Sequence, residues 1–123
     1  DMPAAVAVMD LSVEAEAFGC TVTAEGDGIS TVTGPIINDA CDAEKTAVPD
    51  IGAGRTGIFI QAASLAKKAV KDRPVIAGMI GPYSLAGRLM EVSEALIGCL
   101  EDPDMMHLIL RKETDFLIAY AKA

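Results

Sequence analysis

Two short apolar runs, Ala4–Met9 (AAVAVM) and Pro74–Ile80 (PVIAGMI), limit what this chain can become more than any other feature. Each is continuous rather than alternating. Asp10 closes the first, and Gly81-Pro82 closes the second. Runs of this kind predict strands buried on both faces, as a parallel sheet under helices requires. Between them, over Gly57–Asp72, Ile58, Ala62, Leu65, Ala66 and Ala69 recur at helical spacing. Lys67, Lys68 and Lys71 gather toward the end of that stretch, where cations suit the helix dipole. Two apolar strands joined through a crossover helix make a βαβ unit, so the sequence predicts an α/β protein with a parallel strand pair.

The stretch Ala4–Gly19 passes straight from the first strand into a second helical pattern, in which Val13, Ala17 and Phe18 form the apolar face and Gly19 ends the helix. An acid at the carboxyl end of a buried strand stands where α/β proteins place their chemistry, which makes Asp10 the first functional candidate. The alternative for Asp10 is a helix cap, since Asp caps well. Cys20–Thr23 and Ile29–Val32 flank a turn signal, Glu25-Gly26-Asp27-Gly28, and predict an antiparallel hairpin inserted into the parallel scheme. Gly34–Gly54 reads as a loop with a helical turn around Asp42–Lys45. Its length points to function or disorder. Ser84 opens a helix over Leu85–Met90 that continues or restarts through Ala95–Leu100. Asp102-Pro103-Asp104 predicts a strong helix start. The last helix is predicted to run to about Tyr120, with Met105, Leu108, Ile109, Lys112 and Phe116 along one side.

Composition bounds the rest. The 123 residues suffice for one core. Yet 51% are hydrophobic and mean hydropathy is +0.36, which is high for a domain that keeps much of its surface wet. The chain opens at Asp1-Met2-Pro3 with no initiator Met. Together these features predict a piece of something larger, or apolar faces that pack on another chain. Net charge is −8 and the pI about 4.4, with no basic patch, so nucleic acid and anionic membranes are not expected partners. No run of 18 apolar residues predicts a membrane span and no basic segment predicts a signal peptide. Cys20, Cys41 and Cys99 are odd in number and lack CxxC spacing. They read as reduced thiols of a cytoplasmic protein.

Several motifs carry chemistry elsewhere and must be weighed here. Gly52-Ala53-Gly54-Arg55-Thr56-Gly57 matches GxGxxG, with Asp72 twenty residues beyond Gly52. A dinucleotide site needs a strand before that motif. Pro49 spoils the preceding segment as a strand, so a glycine-rich approach to a helix is the better reading. His107, the one histidine, has no second His or Cys at ligand spacing, and no metal is assigned within the chain. Glu14 and Glu16 are two apart on a helix, point to different faces, and read as a solvated face rather than an acid–base pair. Gly81-Pro82-Tyr83-Ser84 follows the second strand and opens a helix, so its backbone N–H groups would suit an anionic or polar ligand, or the segment is a plain tight turn. Tyr83 would stack on a ligand or close the core.

Three blocks, VMDLSVEAEAFGCTV, GRTGIFIQAASLAKKAV and PVIAGMIGPYSLAGRL, in that order and spacing, resemble the uroporphyrinogen decarboxylase superfamily. The superfamily includes the decarboxylases of haem synthesis. It also includes cobalamin-dependent methyltransferases, which carry a methyl group from a corrinoid protein to a thiol such as coenzyme M. The resemblance spans roughly Ala4 to Ala123. It implies a (β/α)8 TIM barrel well over twice this length, of which residues 1–123 are an internal piece of a single barrel domain, two or three β/α units plus the hairpin. It places the family's strand-end aspartate, which binds the centre of the tetrapyrrole in the decarboxylases, on Asp10. It places pocket-lining residues on Met79 and Gly81, with Tyr83 close by.

Some positions depart from the decarboxylases. Arg88 stands where they carry a tyrosine, and their arginine-rich amino-terminal segment has no counterpart. GPYSLAGRL and DLSVEAEAFG look more like the methyltransferase branch. The His-x-Cys and later Cys that hold zinc in that branch have no match, since no Cys stands two residues after His107. The resemblance thus implies a parent enzyme that transfers a methyl group from a corrinoid donor to a thiol activated by zinc, with Asp10 orienting substrate or cofactor at the barrel mouth. Uroporphyrinogen decarboxylase is the alternative, and a non-catalytic fragment or assembly module is a third. The expected partners are the rest of the barrel or another copy of the chain, and a corrinoid protein. The 123 residues alone are expected to be inactive.

Overall fold

The structure, a computed structural model, describes residues 2–24, 26 and 28–123. The order is β1 (Ala5–Val6), α1 (Val13–Ala17), β2 (Thr21–Thr23), β3 (Thr31–Thr33), α2 (Ala40–Lys45), α3 (Thr56–Ala69), β4 (Val75–Ile76), α4 (Pro82–Met90), α5 (Val92–Glu101) and α6 (Pro103–Lys122). β1 and β4 pair in parallel, with Ala5 opposite Val75 and Val6 opposite Ile76. The crossover between them carries α1, the hairpin, α2 and α3. β2 and β3 pair antiparallel, Val22 opposite Val32. The predicted turn between them includes Glu25 and Asp27, which lie outside the described residues.

The two apolar runs do form the parallel pair, but not as strands buried on both faces. The ladder holds two residues on each side, and Val6 and Val8 are 66% and 82% exposed. Val6, Val8 and Ile76 stand open on the side of the pair that no described residue covers. The apolar stripe predicted for α3 also faces outward at Ile58 and Leu65. The opposite side of α3, with Phe59, Ile60 and Ala63, turns toward Ala7, Val75 and Ala77 across an apolar groove.

The packed core lies instead among the helices that follow β4. Leu85, Ala86, Leu89 and Met90 of α4 meet Ala95 of α5 and Met106, Ile109, Phe116 and Leu117 of α6. α4 starts at Pro82, with Gly81 as N-cap and proline where its missing N–H costs nothing. It stops at Glu91, whose φ of 73° is rare for a side-chain-bearing residue, and the chain restarts at once as α5. The break lets α5 fold back closely, so a Cβ at Gly87 would sit 3.1 Å from Val92. Asp102 caps α6 as predicted, accepting the Met105 N–H at 3.0 Å.

The buried face of α6 includes Glu113, which the sequence pattern did not single out, alongside Phe116. Phe116 meets Phe18 of the α1 segment edge to face at 5.3 Å and stacks on Tyr120 at 5.9 Å. The long loop docks on this core: the Ile36 and Ile37 amides donate to Leu89 O at 2.8 and 3.0 Å, satisfying a carbonyl left open at the end of α4. Among the described residues no helix is long and apolar enough to cross a membrane.

Candidate functional site

Asp10 follows β1 by four residues and opens the turn into α1. Its carboxylate does not cap that helix. Ser12 occupies the N-cap position, and Asp10 Oδ1 accepts both the Ser12 amide (2.9 Å) and the Ser12 hydroxyl (2.6 Å), an Asx-type turn. Oδ2 accepts from Arg55 Nη1 at 2.6 Å. Arg55 stands at the N-cap of α3 and spreads its guanidinium over three partners. Nε reaches Glu16 Oε2 at 2.5 Å and Nη2 reaches Ser12 Oγ at 2.8 Å. Ser12 therefore accepts from the guanidinium and donates to the carboxylate, and Asp10, Ser12, Glu16 and Arg55 form one connected cluster.

The electrostatics follow from these bonds. Burial alone would raise the Asp10 carboxyl. The Ser12 hydroxyl, the Ser12 amide and Arg55 outweigh it and bring the group down to about 2. The Glu16 bond leads in raising Arg55 above its ordinary value. At neutral pH Asp10 is an anion in one fixed orientation, not a group that takes up and releases protons. A carboxylate offers about four acceptor directions. Three are used here, which leaves one for a donor on a ligand.

Glu14 and Glu16 correct the expectation of a solvated face. They do point to different sides, but both are engaged. Glu16 holds Arg55. Glu14 is 2% exposed, and its Oε1 accepts the Ile80 amide at 3.0 Å, while Oε2 is buried with no partner among the described residues. That bond ties α1 to the carboxyl end of the β4 run, immediately before Gly81.

The other candidates lie around this junction. Gly81 is the exposed N-cap of α4. Tyr83 lies on the first turn of α4 and lines a cavity of about 410 Å³ with Val32, Pro35, Arg88 and Glu91. Desolvation and the neighbouring Cys99 thiol raise its phenol. Met79 lines the groove toward Phe59 and Tyr120. Met9, next to Asp10, packs on Gly78, where a Cβ would lie 2.6 Å from its sulfur. None of Met79, Gly81 and Tyr83 is a hydrogen-bond partner of Asp10 among the described residues.

The GxGxxG stretch is a pair of turns. Gly52 and Gly54 have φ of 97° and 56°, and Thr56 Oγ1 donates to Ala53 O at 2.6 Å. The residues leading directly into it, 46–50, form no strand. It leads into Arg55 at the N-cap of α3, a variable position of the motif that the pattern alone does not single out. The available signal was charge: an arginine between glycines at a helix start, in a chain with 18 acids against 10 bases, has many possible partners.

Comparison with known proteins adds three findings. The family model described as uroporphyrinogen decarboxylase (URO-D) matches residues 1–123. The chain is 35% identical over 118 residues to the methylcobamide:CoM methyltransferase MtbA of Methanosarcina acetivorans, and 34% identical over 126 residues to the uroporphyrinogen decarboxylase of Myxococcus xanthus. These alignments take in 93% and 97% of this chain but 34% and 35% of those proteins, so the chain spans about a third of the length of the curated relatives it matches. Among solved structures, a methyltransferase from Methanosarcina mazei superposes with a TM-score of 0.83 at 28% identity, covering 97% of this chain and 36% of the other. The fold is accordingly α/β, a part of a (β/α)8 barrel with parallel strands and crossover helices.

Proposed function

We propose a function from one premise: the chain belongs to the uroporphyrinogen decarboxylase family. On that premise residues 1–123 are one stretch of a single barrel domain, and they supply part of the active-site wall of a corrinoid-dependent methyltransferase that passes a methyl group from a corrinoid protein to a thiol. The observation that carries the reading is Asp10, an anion held rigid where the β1 run ends, beside a parallel neighbour. In this reading Asp10 orients the substrate or cofactor through its one open acceptor direction. Gly81 and Tyr83 line the same mouth, and Met79 supports it from the segment that follows β4. The methyltransferase branch is favoured because the relatives named as methyltransferases include one from M. acetivorans and a second, 29% identical, from M. mazei.

Zinc, which the family resemblance implies for thiol activation, finds no holder here. Among the described residues no three His, Cys, Asp or Glu side chains converge, and His107 is exposed on α6. Three free thiols support a cytoplasmic placement. The test is methyl transfer from methylcobalamin to coenzyme M by the natively purified protein, followed by the methylcobalamin absorbance and by the mass of the methylated thiol. The second reading, decarboxylation, draws on the M. xanthus relative. There the open direction of Asp10 would accept pyrrole N–H groups in a charge-assisted bond. Turnover of uroporphyrinogen with no methyl transfer would select it, and turnover of neither would reject both.

A further inference from the structure

We infer that Arg55 is the positioning residue of this site: it acts on whatever Asp10 contacts by locking the Asp10 carboxylate against Ser12 and Glu16. The inference rests on the reading of Asp10 given above. Its support is geometric. An isolated carboxylate on a turn between a strand and a helix rotates about χ2 with little restraint. Here Ser12 fixes Oδ1 from one side with two donors, and Arg55 fixes Oδ2 from the other. The guanidinium is itself oriented from two further sides, because Glu16 and Ser12 engage two more N–H groups of its planar fork.

The backbone is built to deliver this one side chain. Gly54 approaches α1 so closely that a Cβ would lie 3.3 Å from Glu16 Cγ, and its φ of 56° favours glycine. Arg55 therefore reaches the cluster from a turn pressed directly on its own partner. Asp10 and Glu16 give the cluster two negative charges against one positive, so it keeps a net negative charge while one acid is held still. A lysine in the same place would carry its charge and its donors on a single nitrogen, without the planar fork that spans the separate oxygens of Asp10, Ser12 and Glu16.

The test compares wild type, Arg55→Ala, Arg55→Lys, Asp10→Asn and the Asp10→Asn/Arg55→Ala pair. The first measurement needs no activity. Carbon-13 NMR of the Asp10 carboxyl should show a midpoint near 2 in the wild type that moves toward the ordinary carboxylate range in Arg55→Ala and returns when tens of millimolar guanidinium are added. An unmoved midpoint overturns the inference. The second is methyl transfer from methylcobalamin to coenzyme M. Arg55→Ala should lower kcat/KM about 10–100-fold, Arg55→Lys should fall between it and wild type, and guanidinium should rescue the alanine variant.

Adding Arg55→Ala to Asp10→Asn should cost nothing further, because Arg55 acts only through that carboxylate. Additive losses, or a loss that guanidinium does not rescue, would mark a structural arginine and sink the proposal. Should Arg55→Ala not fold, Arg55→Lys takes its place in both measurements, and a midpoint and kcat/KM unchanged from wild type then overturn the inference. A wild type that transfers no methyl group rejects the proposed activity alone, and the carboxyl titration still decides for or against Arg55.

Discussion

Glu14 Oε1 accepts the backbone N–H of Ile80 at 3.0 Å, across 66 residues of chain. Together with the β1–β4 ladder, this bond ties the segment that carries Asp10 to the segment that opens into Gly81 and Tyr83. It also satisfies a buried amide four residues beyond the two-residue ladder of β4, where no strand partner is in reach.

Replacing Glu14 by Ala leaves the buried Ile80 amide unpaired and should lower stability by about 1–3 kcal/mol, read from the urea midpoint. Glu14→Gln keeps an acceptor oxygen in the same place and should cost less than about 1 kcal/mol. Equal losses in the two variants would show that the carboxyl matters for its charge rather than for this bond.

Asp10 makes the fold sensitive to acid. Its carboxyl is lowered from 3.8 to about 2, so the native state favours the ionised form. The resulting stabilisation is complete above about pH 4 and disappears as the pH falls through 2, a change of about 2 kcal/mol. Asp10→Asn should flatten the stability profile over that window, measured as thermal midpoint against pH.

Glu113 works in the opposite direction. It is fully buried, and neither carboxyl oxygen has a partner among the described residues. Phe18, Ile37, Leu89 and Ile109 surround it, and the adjacent Lys112 ammonium is turned to backbone carbonyls instead. Burial pushes the group up from 4.5 to about 8. The folded chain therefore holds a proton that the unfolded chain gives up, and stability falls as pH rises from about 4.5 to about 8. Glu113→Gln should remove that slope and stabilise the protein at pH 8 by on the order of 1–3 kcal/mol. A slope that survives in the variant would place the titrating group elsewhere.

Lys112 closes the end of α2. Its Nζ donates to the carbonyls of Ala43, Glu44 and Thr46 at 2.8, 2.8 and 2.7 Å, joining α6 to the loop. Lys112→Met keeps the aliphatic stem but removes three charge-assisted bonds. It should cost about 1–3 kcal/mol and speed amide exchange in 40–46 before the rest of the chain.

The sequence carries the elements better than it carries the site. Continuous apolar runs foretell β1 and β4 and their parallel pairing, Asp102-Pro103 foretells the start of α6, and Gly19 foretells the end of α1. Each depends on neighbours in the chain, which a linear reading can see. The burial of β1 and β4 depends on layers facing them, and Val8 lies open because none of the described residues covers that side. Arg55 was invisible for a related reason: its partners stand 39 to 45 residues away, and no local rule connects a glycine-flanked arginine to an aspartate beyond a hairpin and a loop. Asp10 stands out as a candidate because its signal, an acid closing an apolar strand, is local.

The β1–β4 pair leaves one row of backbone donors and acceptors uncovered along the outer side of each strand. Such rows do not discriminate strongly: a strand that completes a ring and a strand that starts an aggregate present them with the same spacing. Handling this polypeptide at high concentration is thus a contest between correct closure and edge-to-edge stacking, and dilution or a competing extended peptide should tip it.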